Sequence, residues 1–126
     1  MSPLLRAPER SYRLVNQRTG AVLADPVKAA VDSASRRRGL LKLDEMPHGQ
    51  ALIIAPCNAV HTWFMRFSID VAFVTRGGEV VKRCDDVRPW RMAISWRSFA
   101  VIEFAAGTLH TSDTRKGDLV GIIDAN

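Results

Sequence analysis

The segment Val60-His61-Thr62-Trp63-Phe64-Met65-Arg66-Phe67-Ser68-Ile69-Asp70-Val71-Ala72-Phe73-Val74 carries His61, Arg66 and Asp70 inside a mostly apolar run. These are side chains that move protons, grip anions and orient other groups. Asp70 sits between Ile69 and Val71, which argues for a carboxylate that is at least partly buried. A buried ionised carboxylate without partners is very costly, so Asp70 must collect donors. Arg66, His61 and the backbone N–H groups of Arg66-Phe67-Ser68 are the nearest in sequence. Side chains alternate between the faces of a strand, so one straight strand cannot deliver both His61 and Arg66 to Asp70. A bend or bulge near Phe67-Ser68 would relax that restriction.

Three chemistries fit these residues. In the first, Asp70 anchors a loop, with Arg66 as its counter-ion. In the second, His61, Arg66 and Asp70, with Glu103 as a further carboxylate, bind a small polar or anionic ligand without catalysis. In the third, the protein is a small hydrolase-type enzyme whose base, His61, is oriented by Asp70 or Glu103. Hydrolysis needs a nucleophile or an activated water in reach of that base. G-x-S-x-G, H-E-x-x-H, P-loop and dinucleotide-binding fingerprints are all missing. His48, His61 and His110 are isolated in sequence, and Cys57 and Cys84 show no metal-ligand spacing. No metal and no cofactor is expected, and non-catalytic ligand binding is the functional reading adopted.

The elements that must position these groups are mostly strands. Ser11-Tyr12-Arg13-Leu14-Val15 alternates, Gln17-Arg18-Thr19-Gly20 has turn chemistry, and Ala21-Val22-Leu23-Ala24 returns, giving an opening hairpin over residues 11–24. Asp25-Pro26 followed by Val27, Ala30, Val31 and Ala34 predicts an amphipathic helix over Pro26–Arg38, with Arg36-Arg37-Arg38 in its last turn and Gly39 as its cap. Further strands are expected at 51–55, 60–64, 69–74, 79–83, 99–104 and 119–123, with a hairpin turn at Thr75-Arg76-Gly77-Gly78 and a short helical turn or loop within 108–116. About seven short antiparallel strands with one helix near the N-terminus imply a mainly β fold, a sandwich or barrel-like.

The chain has 126 residues, enough for one domain, 1–126, and a substantial core. Hydrophobic residues make up 47% and charged residues 25%, which excludes disordered and collagen-like classes. No apolar run is long enough for a membrane-spanning helix, and no leader is evident, so a cytoplasmic setting with free Cys57 and Cys84 thiols is expected. Cys57 is expected as a small buried thiol. Net charge is +5, with nine basic and three acidic residues in 1–42. That surplus offers a further alternative, an interaction module using the basic N-terminal third. The Arg36-Arg37-Arg38 run lacks interleaved exposed aromatics, which argues against nucleic acid as its partner. Trp63 is expected in the core. Trp90 and Trp96, each beside arginine, are better candidates than Trp63 for a binding rim, although a core position is still the favoured expectation for them.

The order of short motifs resembles a prokaryotic family, the domain of unknown function 192. The resemblance covers about residues 25–123. It rests on Arg36-Arg37-Arg38-Gly39-Leu40-Leu41, on Gly49 before an apolar strand, on His61-Thr62-Trp63-Phe64-Met65-Arg66 and on Ile69-Asp70-Val71-Ala72-Phe73. Gly78-Glu79-Val80-Val81, Val101-Ile102-Glu103 with Ala106-Gly107, and Gly117-Asp118 complete it. The family's central motif often reads Phe-Trp-Met-Lys-Asn-Thr, and Met65-Arg66-Phe67-Ser68 stands here in place of its last four residues, so the Asn amide is absent. The resemblance implies a mostly β domain with a helix and no established activity, and some members are exported. Its motif positions here are Met65, Arg66, Asp70, Glu103, Gly107, Gly117 and Asp118, with Gly39 in the first piece.

Overall fold

In a computed structural model, residues 12–30 and 46–124 are described. The order is β1 (Tyr12–Asn16), β2 (Val22–Ala24), β3 (Val27–Ala30), β4 (Ala51–Ile54), β5 (Ala59–His61), β6 (Ile69–Val74), β7 (Val80–Val87), β8 (Met92–Ile94), β9 (Ala100–Ala105), α1 (Thr108–Thr111) and β10 (Val120–Asp124). They form a three-stranded sheet β10-β1-β2, a five-stranded sheet β3-β4-β9-β6-β7 and a two-stranded ribbon β5-β8. All pairings are antiparallel except β3 with β4, which is parallel.

The five-stranded sheet is covered on both faces. Every residue of β4, β6 and β9 is buried, which is why β4 reads as an unbroken apolar run and β6 and β9 as apolar runs broken only by Asp70 and Glu103. One face, with Ile53, Ala72, Ile102 and Phe104, packs against Leu14, Leu23 and Val120 of the three-stranded sheet and against Leu109 of α1. The other face, with Leu52, Val71, Phe73 and Val101, packs against Val60 and Ala93 of the ribbon and against Met65. The sequence thus makes three layers with a β centre.

The mainly β expectation holds, and the helix expected over 26–38 is corrected where the structure describes it. Val27–Ala30 is a strand, paired residue for residue with Ala51–Ile54. Asp-Pro followed by Val and Ala suits a helix start locally, but Val27 is buried in the core and the backbone pairs with an apolar strand, so tertiary pairing overrides local propensity. The rest of that expected helix, with Arg36, Arg37, Arg38 and Gly39, lies outside the described residues. The described helix is α1, near the other end of the chain. The described residues form ten strands against the expected seven or so, with β3 and β8 outside the expected set. Among the described residues, no helix is long and apolar enough to cross a membrane.

Candidate functional site

Asp70 is wholly buried on β6. Its Oδ1 accepts the backbone N–H of Asp86 at 2.9 Å, and its Oδ2 accepts those of Gly107 at 3.1 Å and Leu109 at 2.9 Å. The chain bends at Arg66-Phe67, as expected near Phe67-Ser68, and a bulge lies in the neighbouring strand. The β6–β7 register passes from Ile69↔Val87 to Val71↔Cys84, so β7 has one extra residue opposite Asp70. Asp86, with φ 50°, lies in that bulge, and the carboxylate takes up its N–H. On the other side the carboxylate holds the entry to α1, where Gly107 turns the chain at φ 95°. Asp70 therefore joins the β7 bulge to α1. The counter-ion role expected of Arg66 is replaced by three backbone donors. Arg66 is exposed, and Arg83 of β7, paired first with Asp85, is a cation that the Asp70 charge helps to keep protonated.

Glu103, also wholly buried, stands opposite Val71 on β6 and Leu52 on β4. It shares their face of the sheet, whereas Asp70 stands opposite Phe104 on the other face.

A second polar cluster surrounds Asp118, a residue of the family motif. Arg18 Nε and Nη2 donate to its two oxygens at 2.7 and 3.1 Å. Asn16 Nδ2 and the Arg115 N–H donate to Oδ2 at 2.9 and 2.8 Å. The Arg18 guanidinium, followed by the Asn16 and Arg115 donors, holds the Asp118 carboxyl well below the usual carboxylate range. Asn16 also donates to Thr114 Oγ1 at 3.1 Å, and both side chains are wholly buried. The cluster closes β1 and its turn onto the loop before β10. Gly117 opens that stretch, its N–H bonding the Val80 carbonyl at 2.7 Å. These are scaffold contacts with every group satisfied.

The exposed chemistry lies on the ribbon. Val60 and Ala93 face the core, so alternation turns their neighbours His61 and Met92, themselves cross-strand partners, outward. Met92 is 62% exposed and Trp63 43%. The His61 and Trp63 rings lie 4.7 Å apart, tilted by 32°. Phe64 and Trp90, both at positive φ, meet edge to face at 4.6 Å. The core position expected for Trp63, and favoured for Trp90 and Trp96, is therefore corrected: all three are exposed, and the rim alternative fits Trp90 and Trp96.

Thr62, whose residue type carries no functional signal in the sequence, builds this surface. It is wholly buried. Its Oγ1 donates to the Arg88 carbonyl at 2.5 Å and accepts the Arg91 N–H at 2.9 Å, while its carbonyl accepts the Trp90 N–H at 3.0 Å. One threonine therefore clasps the 88–91 loop and fixes Trp90 against Phe64. Met65, the motif residue beside Arg66, is buried beneath this turn. At the other end of the ribbon, the Ser95 N–H bonds the Asn58 carbonyl at 2.8 Å, which places Trp96 there. Beside it Pro56, Cys57, Asn58, Ser98 and Phe99 line a cleft of about 250 Å³. Cys57 is half-buried rather than buried, its Sγ donating to the Ala59 carbonyl at 3.0 Å. Cys84 is half-buried too, and burial pushes its thiol up.

The structure thus separates the residues expected to act together. Asp70 and Glu103 belong to the two faces of the inner sheet, and His61 belongs to the outer face of the ribbon. Among the described residues, no group of three His, Cys, Asp or Glu side chains is placed to hold a metal ion.

Residues 14–122 match the DUF192 family, described as an uncharacterised ACR. The fold is similar to a crystal structure of a candidate transcription regulator from Sinorhizobium meliloti 1021, at 20% identity and TM-score 0.74, covering 89% of this chain and 92% of that one. It is also similar to a protein of unknown function from Novosphingobium aromaticivorans, at 18% identity and TM-score 0.72, covering 88% of this chain and 83% of that one. No curated protein matches the chain in sequence.

Proposed function

The chain belongs to the DUF192 family, and on that premise we propose that it is a non-catalytic module whose β5–β8 face binds an anionic ligand. One observation carries the reading: all three tryptophans of the chain are exposed on and around one ribbon whose charged side chains are all arginines. Residues 56–67 and 87–98 hold Arg66, Arg88, Arg91 and Arg97, together with His61, and no aspartate or glutamate. Large exposed apolar groups gathered in one patch mark an interaction site. Arginine gives that patch planar donors that match phosphate or carboxylate.

In this reading His61 and Arg66 keep the ligand-contacting role, while Asp70 and Glu103 hold the sheet that carries the ribbon. The hydrolase alternative draws less support. Three backbone N–H groups already occupy the Asp70 oxygens, which leaves that carboxylate poorly disposed to orient His61. The alternative that uses the basic N-terminal third rests largely on residues outside those described.

Thermal-shift titration with inorganic pyrophosphate, citrate and mononucleotides tests the proposal. Stabilisation that is lost in Arg91→Gln and kept in Asp70→Asn is the expected result. No stabilisation by any anion, or equal stabilisation of Arg91→Gln, would overturn it.

A further inference from the structure

The aromatic rings and arginines of the ribbon have an arrangement that simple anion binding does not require. Trp63, Phe64 and Trp90 stand at one end, and Trp96, 80% exposed, stands beyond the other. The three-residue strands between them span about 10 Å. A stacked strand rises roughly 3.4 Å per base step, so the ribbon between the two aromatic ends leaves room for several bases. The cleft of about 250 Å³ adjoins the Trp96 end, and the Arg76 guanidinium lies 4.1 Å from the Phe99 ring that lines it.

Resting on the binding face proposed above, we infer that its ligand is single-stranded nucleic acid. Unpaired bases offer flat π faces for Trp63, Phe64, Trp90 and Trp96, and the phosphates between them meet Arg66, Arg88, Arg91 and Arg97. Base–aromatic stacking combined with a positive track is how strands are held without sequence readout. The Arg36-Arg37-Arg38 run lacks the aromatic half of that combination, and the ribbon has both halves. Among the described residues, no carboxylate pairs with Arg88, Arg91 or Arg97. A second copy of the chain is a poor occupant, because two such faces would set arginine against arginine with no acidic residue to offset it. The edge-to-face packing of Phe64 on Trp90 and the Thr62 clasp keep the rings preformed, which limits the ordering cost of binding.

The test uses the full chain and fluorescein-labelled single strands of about 12 nucleotides, a length within the usual site sizes for such surfaces. Anisotropy titrations should saturate, with quenching of indole fluorescence. Four phosphate contacts predict a slope of log K against log salt of roughly −3, and Arg91→Gln should make it shallower by about 0.7. Trp90→Ala and Trp96→Ala should each weaken binding by about 5- to 100-fold. Trp96 is 80% exposed, so Trp96→Ala should keep the wild-type melting temperature, while Trp90→Ala loses its contact with Phe64 and should melt slightly lower in one cooperative transition, which reports an intact fold. Equal affinity for the corresponding duplex, with no effect of either tryptophan variant, would overturn the inference in favour of plain electrostatics. Binding to phosphatidylglycerol vesicles without binding to single strands would overturn it in favour of a membrane surface. Stabilisation by pyrophosphate without strand binding would remove the nucleic acid and leave the anion-binding face. No response to any of these anions would remove both.

Discussion

Asp70 and Glu103 stand on neighbouring strands one residue out of register, so the central sheet lies between their carboxyl groups. Asp70 faces α1 and the core shared with the three-stranded sheet. Glu103 faces the side that the ribbon covers. One small substrate cannot touch both through a packed sheet. Burial of a carboxylate therefore takes two separate forms here, and the two carboxyl groups do not form a pair with each other.

Asp70→Ala should destabilise the domain by about 1–3 kcal/mol, because the Asp86, Gly107 and Leu109 N–H groups lose their acceptor. For a domain of this length that is a fall of roughly 5–10 °C in melting temperature. Asp70→Asn keeps one acceptor oxygen and should fall between wild type and alanine. Thermal unfolding followed by circular dichroism measures both. An alanine variant as stable as wild type would contradict the anchoring role.

The Asp118 cluster predicts the acid limb of the stability curve. Its folded carboxyl lies below the unfolded value because Arg18, Asn16 and the Arg115 N–H stabilise the charged form. Asp113, beside Arg115, and Asp85, beside Arg83, are lowered in the same direction. A lowered folded pKa contributes stability that is present above the unfolded value, about 3.9, and is lost as pH falls towards the folded pKa. Denaturation midpoints should therefore be flat from neutral pH to about pH 5 and drop below pH 4. Asp118→Asn should be less stable at neutral pH and show a shallower acid limb. An unchanged acid limb would show that the cluster does not control it.

Gly78 closes the β6–β7 hairpin at φ 96°, and a Cβ there would lie 2.4 Å from the Val120 carbonyl oxygen. The neighbour is backbone, paired through its own N–H to the Gly78 carbonyl at 2.9 Å, so it has little room to shift. Gly78→Ala should cost more than about 1 kcal/mol, read as a lower urea midpoint with an unchanged slope.

The sequence carries the strands whose signals are local. Ile69–Val74 is legible to the residue because an apolar run ends in a Thr-Arg-Gly-Gly turn, and the opening hairpin is legible from its alternation. Val27–Ala30 is misread because its helical spacing is also local, while the partner that decides it, Ala51–Ile54, lies more than twenty residues away. The need of Asp70 for donors is legible from its apolar neighbours. Their identity is not, since Gly107 and Leu109 come from a distant turn. The exposure of Trp63 is hidden for a related reason. Hydrophobic content marks a residue that can be buried, but Trp63 lies in the turn after β5, and the side on which that turn emerges is set by Val60 meeting Ala93 across a pairing with no short-range signal. The family resemblance brings Met65, Asp70 and Glu103 forward, and all three are buried supports of the layers rather than parts of the exposed face.

Thr62 offers the sharpest separation of stability from binding. Thr62→Val keeps the volume and removes the hydroxyl, which leaves the Arg91 N–H without its side-chain acceptor and the Arg88 carbonyl without its donor. The backbone bonds of Thr62 to Trp90 and Arg91 remain, so the loop stays attached but loses its clasp. The cost should be about 1–3 kcal/mol. The effect on the surface should be larger than stability alone conveys, because Trp90 would no longer be held against Phe64. Its indole emission should shift and become more accessible to acrylamide quenching, and ligand affinity at the ribbon should fall even at temperatures where the variant is fully folded. Asp70→Asn is the matched control, since it weakens the sheet from the opposite face and leaves the clasp intact. If Thr62→Val changed stability while leaving both quenching and affinity at wild-type values, the clasp would be a packing contact and the ribbon would not need preformed rings.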